Sequence, residues 1–334
     1  MKAHYSRRDF LAGASASGVA SLLGVPTLAA SEPPPEVKRI RLVHGPAICL
    51  SPQYLAEELL RLEGFSEIEY VDLPIVTTTS LVAAGRADMT MGAAVDIVAA
   101  LDAGRSLLPL AGIHAGCYEL FVNGPISKIK DLKGRTVVIT TEKSTERLFI
   151  SSIVAYVGMN PDDIRWINTS STIEAMQTFV DGKADAFLAF APQPQELRSK
   201  KVGRVILNTT MDRPWSQYFC CMVSARREFV EQYPVATRRA LRAFLKAADL
   251  CAQEPEKAAR FLSAKGYEPR YEVALEILKE LPYRRWRDAD PEDTLRFHAL
   301  RLHEVGMIKT TPQKLIAQGT DWRFLNALKK EMKA

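Results

Sequence analysis

The sequence predicts an α/β fold built as two similar lobes. Strand-length apolar runs alternate with helical patterns between residues 40 and 190, the signature of parallel sheet layered with helices. A Gly-basic-Ala-Asp tetrapeptide occurs twice, as Gly85-Arg86-Ala87-Asp88 and Gly182-Lys183-Ala184-Asp185. Each copy joins a helix to an apolar strand, so the alternating module is used twice.

Residues 40–43 read as a short apolar strand. Ser51 is suited to cap the helix that follows, and Pro52 to its first turn, where a missing N–H has no partner to lose. Leu55, Leu59 and Leu62 recur at i, i+4 and i+7 on one buried face, and Gly64 ends the helix. Residues 68–73 are the second strand. A helix over 79–84 stops at Gly85, a strand follows over 89–91, and Gly92-Ala93-Ala94 opens a helix over 95–103. Residues 107–113 form the next strand. The second module has a strand over 135–140, a helix over 144–157, a strand after 161–166, a helix over 172–180 and a strand over 186–190. In each tetrapeptide the Gly supplies a left-handed helix stop, the basic residue complements the helix dipole and the Asp starts a turn. From residue 226 onward the pattern is helical, over 226–232, 235–252, 255–265, 271–281, 291–305 and 312–319. Pro234, Pro255, Pro291 and Pro312 stand at helix starts, and these helices are expected to pack on the first lobe.

The N-terminal segment reads as an address. Ser6-Arg7-Arg8-Asp9-Phe10-Leu11 resembles the twin-arginine export motif, and a weakly apolar stretch over 11–25 is too short to span a bilayer. Thr27-Leu28-Ala29 places small residues for cleavage near Ala29 or Ala30. A signal peptide over 1–29 and a linker over 30–37, rich in proline, are therefore expected, and the periplasm as the destination. Without residues 1–29 the chain keeps 41 basic and 38 acidic side chains, a charge of +3 against +5 for the whole. That balance, with no basic stripe carrying interleaved aromatics, argues against nucleic acid as a partner. Cys49, Cys117, Cys220, Cys221 and Cys251 show no CxxC or zinc-ligand spacing, and His114 has no second donor at a ligating interval. Buried free thiols, no metal and no cofactor are expected.

Several stretches resemble the sulfonate/nitrate/taurine-type periplasmic binding proteins of ABC transporters, which share a domain with thiamine-pyrimidine biosynthesis proteins. They are residues 40–62, Leu81-Val82-Ala83-Ala84-Gly85-Arg86-Ala87-Asp88-Met89, Ile129-Lys130-Asp131-Leu132-Lys133-Gly134-Arg135-Thr136-Val137, and residues 229–250 with Tyr233-Pro234. The resemblance implies a periplasmic binding protein fold of type II, with two Rossmann-like lobes, a ligand cleft and two hinge crossings. It places lobe 1 at 38–114 and 216–334, lobe 2 at 115–215, and the crossings near 116–120 and 214–220. It also implies a monomer that binds a small molecule and docks on an ABC permease in the inner membrane, and not an enzyme.

Ligands of open α/β sheets bind beyond the carboxyl ends of the strands, where helix N-termini point. Ser51 and Gln53 are candidates at the first such turn. Ala93 and Ala94 open a helix with no side-chain cap and leave room for close approach to its N–H groups. Thr141, Ser144 and Thr145 present hydroxyls at a helix start suited to an anion, with Lys143 and Arg147 near by. Gln193 lies between two prolines, and the crossings add Tyr118 and Trp215 as aromatic surfaces. The expected ligand is a small organic anion, such as a sulfonate or a carboxylate. Because no Arg is placed for a bidentate clamp, a neutral pyrimidine-like heterocycle is the alternative. A pyrimidine-forming enzyme of the same fold is the rival class; such proteins carry a Cys-rich phrase and an active His, where this chain has the pair Cys220-Cys221.

Overall fold

The computed structural model describes residues 32–45, 47–72 and 77–333. The expected leader, its cleavage site and residues 30–31 of the linker lie outside them.

Two five-stranded sheets organise the described chain. The first joins β1 (Arg39–His44), β2 (Glu67–Asp72), β3 (Met89–Ala93), β4 (Leu107–Ala115) and β10 (Phe219–Arg226) in the order β2-β1-β3-β10-β4. The second joins β5 (Tyr118–Val122), β6 (Thr136–Ile139), β7 (Arg165–Asn168), β8 (Ala186–Phe190) and β9 (Arg204–Asn208) in the order β7-β6-β8-β5-β9. Three strands of each sheet come from the alternating module and run parallel. The fourth in spatial order, β10 or β5, is antiparallel to both neighbours. The sequence predicted parallel sheet; each sheet is in fact mixed, because one strand enters it from the other lobe.

The helices follow the proline and glycine punctuation. Helices α1 (Ser51–Leu62), α2 (Thr78–Ala83) and α3 (Ala94–Asp102) belong to the first module, and α4 (Thr145–Tyr156), α5 (Thr172–Val180) and α6 (Gln193–Ser199) to the second. The C-terminal run is α7 (Arg227–Gln232), α8 (Pro234–Gln253), α9 (Pro255–Ala264), α10 (Tyr271–Glu280), α11 (Pro291–Glu304), α12 (Pro312–Gly319) and α13 (Arg323–Glu331). Among the described residues no helix is long and apolar enough to cross a membrane.

Not all of the C-terminal helices stay with the first lobe. Helix α11 packs against both α3 and α4, and His298 Nδ1 on α11 lies 3.0 Å from Ser152 Oγ on α4. Burial without a charged partner pushes that imidazole down to about 3, so a neutral ring seals this contact. Helix α10 reaches the second lobe as well. Glu276 and Glu280 accept from Arg198 of α6 at 2.8 and 2.6 Å, and Gln195 donates to Glu280 at 2.8 Å.

Both tetrapeptides do more than turn the chain. Gly85 and Gly182 adopt φ near +70°, the helix stop expected of them. Each Asp then fastens the first parallel strand of its sheet, β1 or β6. Asp88 N–H donates to Arg41 C=O at 2.8 Å and its carboxylate accepts from Arg41 N–H at 2.9 Å. Asp185 N–H donates to Thr136 C=O at 3.0 Å, and its carboxylate accepts from Thr136 N–H at 2.7 Å and Thr136 Oγ1 at 2.8 Å. The guanidinium of Arg41 closes a second bond on Asp88 at 2.6 Å, a charge-assisted pair with little exposure.

The chain passes between the sheets at 116–117 and again at 209–218, where the two passes are laced together. Tyr118 N–H donates to Thr209 Oγ1 at 3.0 Å, Thr209 N–H to Tyr118 C=O at 2.9 Å and Cys117 N–H to Thr210 Oγ1 at 3.2 Å. Gly116, at φ +75°, lies against Thr210 so closely that a Cβ there would stand 2.5 Å from the Thr210 Cα. Gly124 has a similar φ of +69° with open space around it. Gly116→Ala combines a left-handed cost of about 1–2 kcal/mol with overpacking of about 1–3 kcal/mol. It should lower unfolding free energy in urea by ~3 kcal/mol, whereas Gly124→Ala loses ~1 kcal/mol. Equal losses in the two variants would show that the close approach carries no weight.

Candidate functional site

Strand ends and helix starts from both sheets enclose a cavity of about 590 Å³. The first lobe contributes Ala47, Leu50, the start of α2 at Thr77, Thr78 and Ser80, and Gly92, Ala93 and Asp96 at the junction of β3 with α3. The second contributes Tyr118, residues 140–141 and 143–146 before and at the start of α4, residues 170–172 at the start of α5, and Phe190. The lobes touch around it: Ile48 N–H donates to Ala191 C=O at 3.3 Å, and Thr145 Oγ1 donates to Asp96 Oδ2 at 2.8 Å.

Of the residues singled out by sequence, Ala93, Tyr118, Thr141, Ser144 and Thr145 line the cavity. Ser51, Gln53, Ala94, Gln193 and Trp215 do not. Ser51 is fully buried and turns back to donate to Ile48 C=O; Leu50, and not Ser51, occupies the cap position of α1. Gln53 is also fully buried. Its amide ties two diverging strands, donating to Val43 C=O at 2.5 Å and accepting from Met91 N–H at 2.8 Å. Gln193 accepts from Phe190 N–H and donates to Thr172 C=O, holding the end of β8 beside α5. Trp215 packs edge-on to Tyr156, with ring centroids 5.4 Å apart. Arg147 turns from the cavity to stack over Trp166 at 4.0 Å.

Two of the three hydroxyls expected to meet an anion are engaged: Ser144 accepts from an N–H group of its own helix, and Thr145 donates to Asp96. Ser171 and Thr77, also on the cavity wall, cap their helices in the same way as Ser144. Helix α3 differs: its cap residue Ala93 supplies no side-chain acceptor for the N–H groups of the first turn, and Gly92, Ala93 and Asp96 at this helix start line the cavity.

Asp96 is the residue that the sequence reading missed. It stands in the first turn of α3, 6% exposed, with Oδ2 on Thr145 and Oδ1 buried without a partner. Burial pushes its carboxyl up to about 8, against the Thr145 hydroxyl, which favours the ionised form; nearby Glu146 adds to the rise. An acid two residues beyond a pair of alanines has the sequence signature of a dipole-complementing first-turn residue, and only its burial separates it from one. Glu146 and Lys143 are the other charged side chains lining the cavity.

The cavity floor holds a second feature that sequence spacing did not reveal. Donor atoms of Cys49, His114, Cys117 and Cys221 lie within 4.8 Å of one another, all buried. Ligand spacing is visible only along one stretch of chain, whereas these four residues come from β4, the first crossing, β10 and the turn before α1.

Two sheets of this topology, joined by two crossings around a cleft, define a periplasmic binding protein fold of type II. Residues 67–258, more than half of the chain, match the model of the NMT1/THI5 like family, and the chain belongs to that family. The fold is similar to the nitrate-binding protein of Synechocystis PCC 6803, at a TM-score of 0.73 and 15% identity over 90% of each chain. It is also similar to the alkanesulfonate-binding protein of Xanthomonas axonopodis pv. citri, solved with MOPS, at a TM-score of 0.71 and 16% identity over 86% of this chain and 99% of that one. The aliphatic sulphonate binding protein of Escherichia coli aligns at 0.66 and 19% identity, over 86% and 94%. No curated protein matches the chain in sequence.

The Asp96 environment generates a stability signature. Its folded value lies above the ~3.9 of an unfolded aspartate, so between about pH 4 and pH 8 the folded state keeps a proton that the unfolded state has lost. This group's contribution to stability is fully present at the acid end and declines as pH rises, by at most about 1.4 kcal/mol per pH unit. Urea unfolding across that range should show the decline, and Asp96→Asn should flatten it. An unchanged slope in the variant would show that Asp96 is ionised throughout.

Proposed function

We propose that this chain is the solute-binding component of an ABC-type importer. It works in the periplasm as a monomer, closes its lobes around one small organic solute and presents the closed form to a permease. The fold and the family support this reading, as do the sulfonate and nitrate ligands named for proteins of similar structure. The cavity supplies the physical basis. A solute that touches both lobes does so only when they are closed, so its differential affinity moves the equilibrium toward closure.

The observation that carries the choice of solute is the unpaired, buried Oδ1 of Asp96 in the cavity wall. Once Asp96 is ionised, a purely accepting anion leaves that oxygen unsatisfied and adds a second negative charge beside it, whereas an N–H donor pairs the oxygen and favours the ionised form. The solute class proposed is therefore a small organic molecule with an N–H donor for Asp96 and an acceptor or anionic group for the open start of α3. An aminosulfonate and an aminopyrimidine both meet this description; nitrate and simple alkanesulfonates do not.

Calorimetry with taurine, 4-aminopyrimidine, ethanesulfonate and nitrate tests this. Taurine or 4-aminopyrimidine should bind more tightly than either ligand lacking N–H, and more tightly as pH rises toward 8, because ionised Asp96 is the better acceptor. Asp96→Asn should weaken that binding about 10-fold or more, the effect of about 1.5–3 kcal/mol for a hydrogen bond to a charged group. Ethanesulfonate binding as well as taurine, at every pH, would remove the donor requirement and restore the simple anion.

A further inference from the structure

Four of the five cysteines gather where the two crossings meet the cavity floor. Cys49 stands in the short turn before α1, Cys117 in the first crossing, and Cys220 and Cys221 open β10. His114 comes from the end of β4, and all five residues are buried. Cys49 and Cys221 also line the cavity, so the cluster has an entry path from solvent.

The donor geometry is that of a metal site. Cys49 and Cys221 hold their sulfurs 3.9 Å apart. The S···S edge of a tetrahedron with metal–sulfur bonds of about 2.3 Å is ~3.8 Å. His114 Nδ1 lies 3.3 Å from Ala115 C=O, the partner that fixes the N–H on that nitrogen and leaves Nε2 its lone pair. Nε2 is buried and has no partner. A backbone carbonyl on one ring nitrogen and a free lone pair on the other is the arrangement of a ligating imidazole. Packing alone explains buried thiols, which behave as small apolar groups. It does not explain an unsatisfied imidazole nitrogen among them.

We propose that Cys49, His114, Cys117 and Cys221 form a tetrahedral Zn2+ site at the junction of the two crossings, independent of the solute bound above it. Three thiols and one neutral imidazole make the Cys3His donor set common in closed zinc sites. Binding converts the three thiols to thiolates and releases up to three protons, with no change of oxidation state. Cys220 is left outside the set. Its sulfur lies 2.7 Å from that of Cys117, close enough to compete for it if an oxidant takes two electrons from the pair.

The test uses the full chain, reduced and freed of metal, titrated anaerobically with Co2+ and then with Zn2+. One Co2+ per chain should bind with thiolate charge-transfer absorption and tetrahedral d–d bands, and Zn2+ should displace it. Cys49→Ser and Cys221→Ser should each weaken binding at least about tenfold, the scale set by losing even an outer partner. Cys220→Ser and Cys251→Ser should keep stoichiometry and spectrum, and far-UV circular dichroism identifies any variant that has not folded. Octahedral Co2+ bands without sulfur charge transfer, equal weakening by Cys251→Ser, or a Cys117–Cys220 disulfide that forms in air despite equimolar Zn2+ would each overturn the site. None of these outcomes depends on which solute occupies the cleft.

Discussion

The whole arrangement rests on two chain passes that must lie side by side. Each sheet receives one strand from the other half, β5 in one direction and β10 in the other, and both are inserted antiparallel beside three parallel strands. Because the passes are adjacent, the strand ends of the two sheets face each other across a narrow gap. The side-chain hydroxyls of Thr209 and Thr210 accept the N–H groups of Tyr118 and Cys117, groups that would otherwise be buried without partners. Gly116 is required because no side chain fits between the passes at a positive φ. The cavity is a consequence of this lacing.

Much of the fold was legible because local signals agreed with tertiary need. The expected α5 over 172–180 matches the observed bounds, and the proline-led helices begin within a residue of their prolines. The paired tetrapeptides marked the internal repeat, and their Asp residues make the same backbone clasp in both lobes. Legibility failed where pairing was long-range. β5 and β10 were read as crossings, and β9 was not read at all. A central antiparallel strand is buried on both faces and lacks the alternation that marks a half-exposed one. The turn around Gln193 became helix α6, whose prolines at 192 and 194 fall at its start, where they are tolerated. Helix α13 was also missed.

The candidate site was half legible, for a related reason. The rule that ligands meet strand ends and helix starts pointed to turns on the cavity wall, where Thr141, Ser144, Thr145, Ala93 and Tyr118 stand. It could not say which polar atoms remain free there. Gln53 and Gln193 look like ligand groups in sequence, yet both have amides bound to backbone. Asp96 looks like an ordinary first-turn acid, yet it keeps an oxygen without a partner. Free polar capacity is set by what the fold leaves over, and that quantity is three-dimensional.

Two of the unsatisfied atoms near the cleft carry chemistry of their own. Asp96 Oδ1 and His114 Nε2 are both buried and unpartnered, on α3 and β4 respectively, and their demands differ in kind. A carboxylate oxygen asks for a proton donor, whereas an imidazole lone pair set among thiols asks for a soft cation. One small solute does not meet both demands. Cys49 and Cys221 lie on the boundary, with sulfurs in the cluster and surface on the cavity. An ion held by the thiols would fix the floor on which the solute rests and tie Cys49 of the first lobe to Cys117 in a crossing.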